Sequence, residues 1–297
     1  MKVVVGASSF AAQSTKSLKA LKDRDIEVIL NPYGRKMNKE EIIHHLKDAD
    51  GLLAGLEIID AEVLDQAPKL KAIARIGIGM DNIDIDAANQ RGIKVSNTPD
   101  APSEAVGEMV LAALLAISRQ IIPLNADMHN KVWKKRMGFS LHGKTVLIIG
   151  YGRIGRKFAE LLKPFESHIL IYDPYRPDVS IESLEEGLRM ADIISLHASG
   201  NSEILNSNSF SLMKPGVVIL NSARGNLINE NKLYDALNGG LVAWYWGDVH
   251  PEEPYHGKLT ECDNAILTPH TSTYTDRCRE LMEYEAVMNI LRDLGYE

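Results

Sequence analysis

The sequence predicts an α/β fold built from two parallel-sheet units. Three observations carry this. Short apolar runs alternate with helical stretches over the first third of the chain, Lys144 to Asp173 reads as strand, glycine turn, helix, strand and acid, and six apolar runs of strand length lie between Lys144 and His270. Strands that alternate with helices form parallel sheets. A chain of 297 residues also exceeds what one hydrophobic core usually holds, so two domains are expected.

Taken in order, Val3–Val5, Glu27–Leu30, Gly51–Ala54, Ala72–Ile76 and Lys94–Val95 read as strands. Ser14–Lys22 and Lys39–Lys47 read as helices, and Asp86–Gln90 as a short helix that Gly92 closes. No glycine fingerprint occurs here, so this unit is expected to serve a substrate. Thr98-Pro99 and Ala101-Pro102 make a stiff connection. A long helix then runs from Ser103 to about Arg119. It is apolar nearly all round, which requires more cover than one face can give: burial inside the subunit or at a subunit interface.

Val146–Ile149 is an unbroken apolar run, as for a strand buried on both faces. Gly150, Gly152 and Gly155 follow as GxGxxG, then a helix that Pro164 stops, then Ile169–Tyr172 ending in Asp173. In this context the glycines serve a tight turn, close backbone approach to a pyrophosphate and close helix packing, and the helix N-terminus offers N–H groups to phosphates. An acid at the end of the second strand accepts hydrogen bonds from a ribose and repels a 2′-phosphate, so Asp173 points to NAD. Arg176 is the one nearby feature that softens this preference. The remaining strands are Ile193–Leu196, Val217–Leu220, Leu241–Tyr245 and Ala265–Leu267, and Thr271 to Gly295 reads as a terminal helix that crosses back to the first unit.

Composition removes several classes. A net charge of −7 argues against a nucleic-acid-binding surface. The longest apolar run, Met109 to Ile117, is too short to cross a bilayer, and the N-terminus reads as a strand. Cys262 and Cys278 stand in no metal or redox spacing, no His/Cys/Asp pattern suggests zinc, and a cytoplasmic protein without a metal is expected.

Ligands of open α/β sheets bind outside the carboxyl ends of the strands. Arg224 follows the fourth of the six runs, Asp248 and the acids Glu252 and Glu253 follow the fifth, and His270 follows the sixth. This set suits reversible oxidation of an alcohol. A histidine takes or gives the hydroxyl proton, a carboxylate fixes its tautomer and supports its charged form, and a guanidinium binds a substrate carboxylate through two parallel bonds. His197 ends the third run and reads as a cofactor-side or structural residue, whereas His129, His142 and His250 read as solvated.

Together these residues resemble the NAD-dependent D-isomer-specific 2-hydroxyacid dehydrogenases, especially members like D-3-phosphoglycerate dehydrogenase. The markers are Arg75-Ile-Gly-Ile-Gly79 with Asp81-Asn82-Ile83-Asp84, Asn97-Thr98-Pro99, Ala101-Pro102-Ser103, Trp133-Lys134, His142 to Thr145, the GYGRIG turn, Leu212 to Gly216, Asn221 to Gly225 and Thr268-Pro269-His270. The resemblance implies a flavodoxin-like substrate domain, residues 1–99 and 272–297, interrupted by a Rossmann-like NAD domain, residues 100–271. It implies Arg224, Glu253 and His270 as the catalytic set, with Glu253 preferred because it directly precedes Pro254. Cofactor contacts are implied at Gly150, Gly152, Arg153, Ile154, Gly155, Asp173, His197, Ala223 and Asp248, the last near the nicotinamide carboxamide. Substrate contacts are implied at the N–H groups of Ile76, Gly77 and Ile78 with Arg224, and a homodimer through the Ser103–Arg119 helix and the Trp133 region. Non-catalytic NAD-sensing corepressors and formate or phosphite dehydrogenases share the fold and are the alternative readings.

Four stretches depart from the pattern. Ala54-Gly55-Leu56-Glu57 stands where the phosphoglycerate enzymes place an arginine for the substrate phosphate, so 3-phosphoglycerate is expected to be a poor substrate unless Lys134, Lys135 and Arg136, or Arg35 and Lys36, provide a cation. Ala198-Ser199-Gly200, Trp244-Tyr245-Trp246 and Thr271 to Tyr274 are the others, and they imply a reshaped nicotinamide pocket.

Overall fold

The structure is a computed structural model that describes residues 1–176, 179–200 and 202–296. The chain divides into two compact units, Met1–Pro102 with Tyr274–Glu297, and Ser103–Thr273.

The first unit holds five strands, β1 (Lys2–Val5), β2 (Glu27–Ile29), β3 (Gly51–Ala54), β4 (Ala72–Arg75) and β5 (Lys94–Ser96). All pair in parallel in the order β2-β1-β3-β4-β5. Central β3 is buried throughout, as its continuous apolar run requires. Four helices connect the strands: α1 (Lys16–Lys22), α2 (Lys39–Leu46), α3 (Ala61–Asp65) and α4 (Ile85–Gln90). Asn38 caps α2 in a reciprocal arrangement with Glu41, and Asp60 and Asp84 cap α3 and α4. Because β1 lies between β2 and β3, the winding reverses there, and the ends of β1 and β3 flank the switch point of this sheet.

The second unit opens with α5 (Pro102–Ser118). Its Val106, Val110, Ala113, Leu114 and Ile117 form a stripe packed with Val146, Ile148, Phe158 and Trp246 in one core. Gln120, in the left-handed region at φ 55, breaks the chain into a second helix, α6 (Ile121–His129), which the sequence does not announce. Pro123 reads as a stop signal but sits in the first turn, where no backbone hydrogen bond is lost. Then come β6 (Thr145–Ile149), α7 (Arg153–Leu162), β7 (His168–Tyr172), α8 (Leu184–Met190), β8 (Ile193–Leu196), α9 (Ser207–Leu212), β9 (Val217–Asn221), α10 (Glu230–Asn238), β10 (Val242–Gly247) and β11 (Ala265–Leu267). The sheet is parallel throughout in the order β11-β10-β9-β8-β6-β7, so its switch point lies between β6 and β8. Of the aromatic run on β10, Tyr245 and Trp246 are both buried and fill the cores on opposite faces of the strand. Among the described residues, no single helix is long and apolar enough to cross a membrane.

The chain then returns to the first unit as α11 (Asp276–Asp293), capped by Thr275 and packed on α1, β3, β4 and β5. A buried pair fixes it there. Arg279 donates to Glu283 at 3.1 Å and to Ser9 Oγ at 3.0 Å, and Glu283 accepts the N–H of Ala11 at 2.9 Å. Burial raises the Glu283 carboxyl above its ordinary range, against the pull of the Ala11 N–H and the Arg279 charge. Removing one partner of a buried pair strands the other. Glu283→Ala is therefore expected to destabilise this unit by about 3–5 kcal/mol in urea unfolding. The double change Arg279→Met with Glu283→Leu should recover most of the loss; a Glu283→Ala midpoint equal to the native one would contradict the assignment.

Candidate active site

Every strand of the second sheet runs the same way, so its carboxyl ends deliver six loops to one edge. At the end of β6, Gly150 adopts φ +93 and its Cα lies where any side chain would collide with Ala198 after β8. Gly155 packs against the Gly150 carbonyl, which draws α7 onto the turn. Gly152, by contrast, faces open space, and no side chain caps the α7 N-terminus. The N–H groups of the first α7 turn at Arg153 and Ile154 thus border a space with room for a phosphate. Asp173 reaches back from the end of β7: its Oδ2 accepts Tyr151 N–H at 2.8 Å and its Oδ1 accepts Tyr175 N–H at 3.0 Å. The carboxylate is thereby held beside the glycine turn, where a ribose diol would meet it. These features fit a dinucleotide.

At the end of β8, His197 packs its ring on Phe158 at 5.4 Å. Its Nε2 pairs with Ser195 Oγ at 2.8 Å and its Nδ1 with Ser222 Oγ at 3.4 Å. Burial pushes its pKa down to about 3, so the ring is neutral and acts as part of the wall. After β9, buried Asn221 shapes the next loop. Its Oδ1 accepts Ala223 N–H at 3.0 Å, and its Nδ2 donates to the Arg224 carbonyl at 2.9 Å. Arg224 donates to the Ala223 carbonyl at 2.7 Å. Any side chain on Gly225 would collide with His250 and Pro251, so the loops after β9 and β10 lie in backbone contact.

The acid and the histidine meet across the next two loops. His270 Nδ1 lies 3.1 Å from Glu253 Oε1 and 3.0 Å from Oε2. Burial pushes the Glu253 carboxyl up, but the His270 hydrogen bond and charge outweigh it and leave the group below its usual range. Glu252 is exposed and makes no hydrogen bond or ion pair among the described residues. With Nδ1–H donated to Glu253, the Nε2 of His270 is the ring nitrogen left for a ligand. His270 itself adopts φ 53, an uncommon conformation for a side-chain-bearing residue.

Asp248 explains how that conformation is held. It is buried, and its Oδ1 accepts Thr268 Oγ at 2.6 Å and Thr271 N–H at 2.9 Å, while Oδ2 accepts Ser272 N–H at 2.8 Å and the Ser272 hydroxyl. The resemblance implies Asp248 near the nicotinamide; its carboxylate also clamps the residues on both sides of His270. His250 also departs from the solvated reading. It stacks on Tyr255 at 4.5 Å and pairs through Nε2 with the Thr268 carbonyl at 3.1 Å. Neither role was legible, because both depend on which loops the strand order sets side by side.

The expected substrate contacts belong to the first unit. Ile76 N–H donates to the Ala54 carbonyl at 2.9 Å, and Gly77 N–H, at φ +142, donates to Thr98 Oγ at 2.8 Å. This corrects the expectation for those two groups, which the fold itself uses. Ile78 N–H donates to no described residue.

Comparisons with known proteins identify the family. Residues 111–272 match the family model described as D-isomer specific 2-hydroxyacid dehydrogenase, NAD binding domain. The chain is 33% identical over 290 residues to the glyoxylate reductase of Pyrococcus furiosus, covering 91% of this chain and 86% of that protein. It is 38% identical over 260 residues to the D-3-phosphoglycerate dehydrogenase of Methanocaldococcus jannaschii, covering 82% of this chain but only 49% of that protein, so it spans about half the length of this relative. The crystal structure of the TT0316 protein from Thermus thermophilus superposes with a TM-score of 0.89 at 32% identity, covering 99% of this chain and 97% of that one. The chain belongs to the D-isomer-specific 2-hydroxyacid dehydrogenases, NAD-dependent oxidoreductases that act on a CH–OH group.

Proposed function

We propose that His270, Glu253 and Arg224 carry the interconversion of a D-2-hydroxy acid and its 2-oxo acid, with NAD held by the second unit. The observation that carries the assignment is the His270 ring, fixed through Nδ1 by both Glu253 oxygens with Nε2 left over. In the reductive direction, protonated His270 gives its Nε2 proton to the oxygen that becomes the hydroxyl; in oxidation neutral His270 takes it. Glu253 stabilises the charged ring and fixes its tautomer. Arg224 binds the substrate carboxylate. Bound NAD would accept or supply the hydride. The turn at Gly150, Gly152 and Gly155 with Arg153 and Ile154 N–H receives the pyrophosphate, Asp173 the ribose, and Ala223 and His197 line the cofactor side.

The glyoxylate reductase relative, matched along nearly its whole length, supports a small 2-oxo acid as substrate over 3-phosphohydroxypyruvate. A homodimer in the cytoplasm is part of the same reading. Ile121, Met128, Trp133 and Met137, on and just after α6, are 53%, 54%, 83% and 92% exposed, and these apolar side chains support an interface there. Both cysteines are free thiols, which suits a reducing compartment. The net charge of −7 supports no nucleic-acid partner.

His270→Ala is expected to lose about 10²–10⁴-fold in kcat while still binding NADH, read by turnover and by fluorescence titration. Glu253→Gln should move the high-pH limb of the reductive pH–rate profile to lower pH, because the ring loses its counter-charge. The reverse result, a shift with Glu252→Gln and none with Glu253→Gln, would reassign the acid. Asp173→Ser should narrow the NADH over NADPH preference in kcat/KM; comparable native values for both cofactors would refute the role given to Asp173. Trp133→Asp should yield a monomer by sedimentation, and an unchanged mass would place the interface elsewhere.

A further inference from the structure

One carbonyl and one carboxylate join the loops after β10 and β11, and His250 touches both. Its Nε2 lies 3.1 Å from the Thr268 carbonyl, which also accepts the His270 N–H at 3.0 Å. Its backbone N–H donates to Glu253 Oε1 at 3.3 Å, and the same carboxylate pairs with His270 Nδ1. A carbonyl oxygen only accepts, so Nε2 of His250 carries a hydrogen. Nδ1 is then the nitrogen that can take a further proton, and it bonds none of the described residues.

The surroundings favour that proton. The ring stacks on Tyr255 with centroids 4.5 Å and planes 20° apart. The Tyr255 hydroxyl donates to Glu230 Oε2 at 3.0 Å, which makes the phenol ring richer in electrons, and such a face attracts a cation. Glu230, on α10, also lines a small cavity with His250. Other charges nearby have their own partners. Asp248 is held by Thr268, Thr271 and Ser272. Lys258 pairs with Asn231, Glu261 accepts from Tyr234, and Arg224 donates to the Ala223 carbonyl, while Glu252 is exposed. The charge of His250 acts on Glu253. We propose that His250 takes up a proton of its own and competes with His270 for Glu253, so that the two rings bind their protons as a coupled pair. A charged His250 draws on the carboxylate and loosens its hold on the charged His270 ring, which makes His270 the readier acid. This deepens the reading of Glu253 and His270 as the proton-transfer pair and rests on it for its place in the reaction.

The test is the titration of the His250 ring, followed by NMR of isotope-labelled histidine in the full chain. Its signal is the one missing from His250→Phe, which keeps a ring on Tyr255, or from His250→Gln should that variant not fold. Glu253→Gln should move the His250 midpoint to lower pH, because the counter-charge is gone. His270→Ala should move it to higher pH, because the carboxylate then serves one ring. His270→Asn takes its place should alanine not tolerate the left-handed backbone. A His250 midpoint that fails to make either shift overturns the proposal, as does one that moves with Glu230→Gln and not with Glu253→Gln. The titration needs no turnover. If the native protein reduces no 2-oxo acid at all, the proposed function fails, and the titration still decides whether the two rings share Glu253.

Discussion

The buried carboxylate of Asp248 is the constraint on which the chemistry depends. A buried charge is tolerated only when its hydrogen-bonding capacity is met, and here the loop after β11 meets it, with Thr268, Thr271 and Ser272 closing on it from both sides of His270. The left-handed backbone of His270 is therefore a consequence of satisfying Asp248. Strain of order 1–3 kcal/mol at one residue persists only where its surroundings over-determine it. The same clamp brings His270 within reach of Glu253, which lies on the loop after β10 that also carries Asp248.

Packing on the other side of the sheet edge works in the same direction. Asn221 draws Arg224 back over the end of β9, and Gly225 lets that loop touch His250 and Pro251. Arginine, glutamate and histidine thus stand on three neighbouring loops whose backbones brace one another. Flexibility in any one of them would loosen the others, which is why small residues and internal hydrogen bonds crowd this edge.

Periodicity and turn chemistry made the two parallel sheets and the glycine turn legible in the sequence, because buried strands and the GxGxxG pattern are local signals. The residues after each strand were legible as a group for the same reason: parallel order alone puts them at one edge. What stayed hidden depends on neighbours far away in sequence. Asp248 as a clamp, His250 as a stacked bridge and the prior use of Ile76 and Gly77 N–H groups all follow from contacts between loops. Glu57 was visible as an acid where a cation was expected, but its burial against Gly6 comes only from strand order. The helix α6 stayed hidden because the left-handed turn at Gln120 that starts it is no local sequence signal.

The first unit is assembled from two stretches of chain that the whole second unit separates. During synthesis Met1–Pro102 leaves the ribosome early, yet α11, which covers β3, β4 and β5, is made only after the second unit. The second unit is continuous, needs no later segment and can fold as a block as it emerges. Loop closure grows only slowly more costly with length, so the folded second unit delivers α11 to the waiting sheet at little entropic disadvantage. Until then the apolar face of that sheet stands open. The order of birth along the chain therefore makes the incomplete first unit the stage at which a chaperone has something to hold.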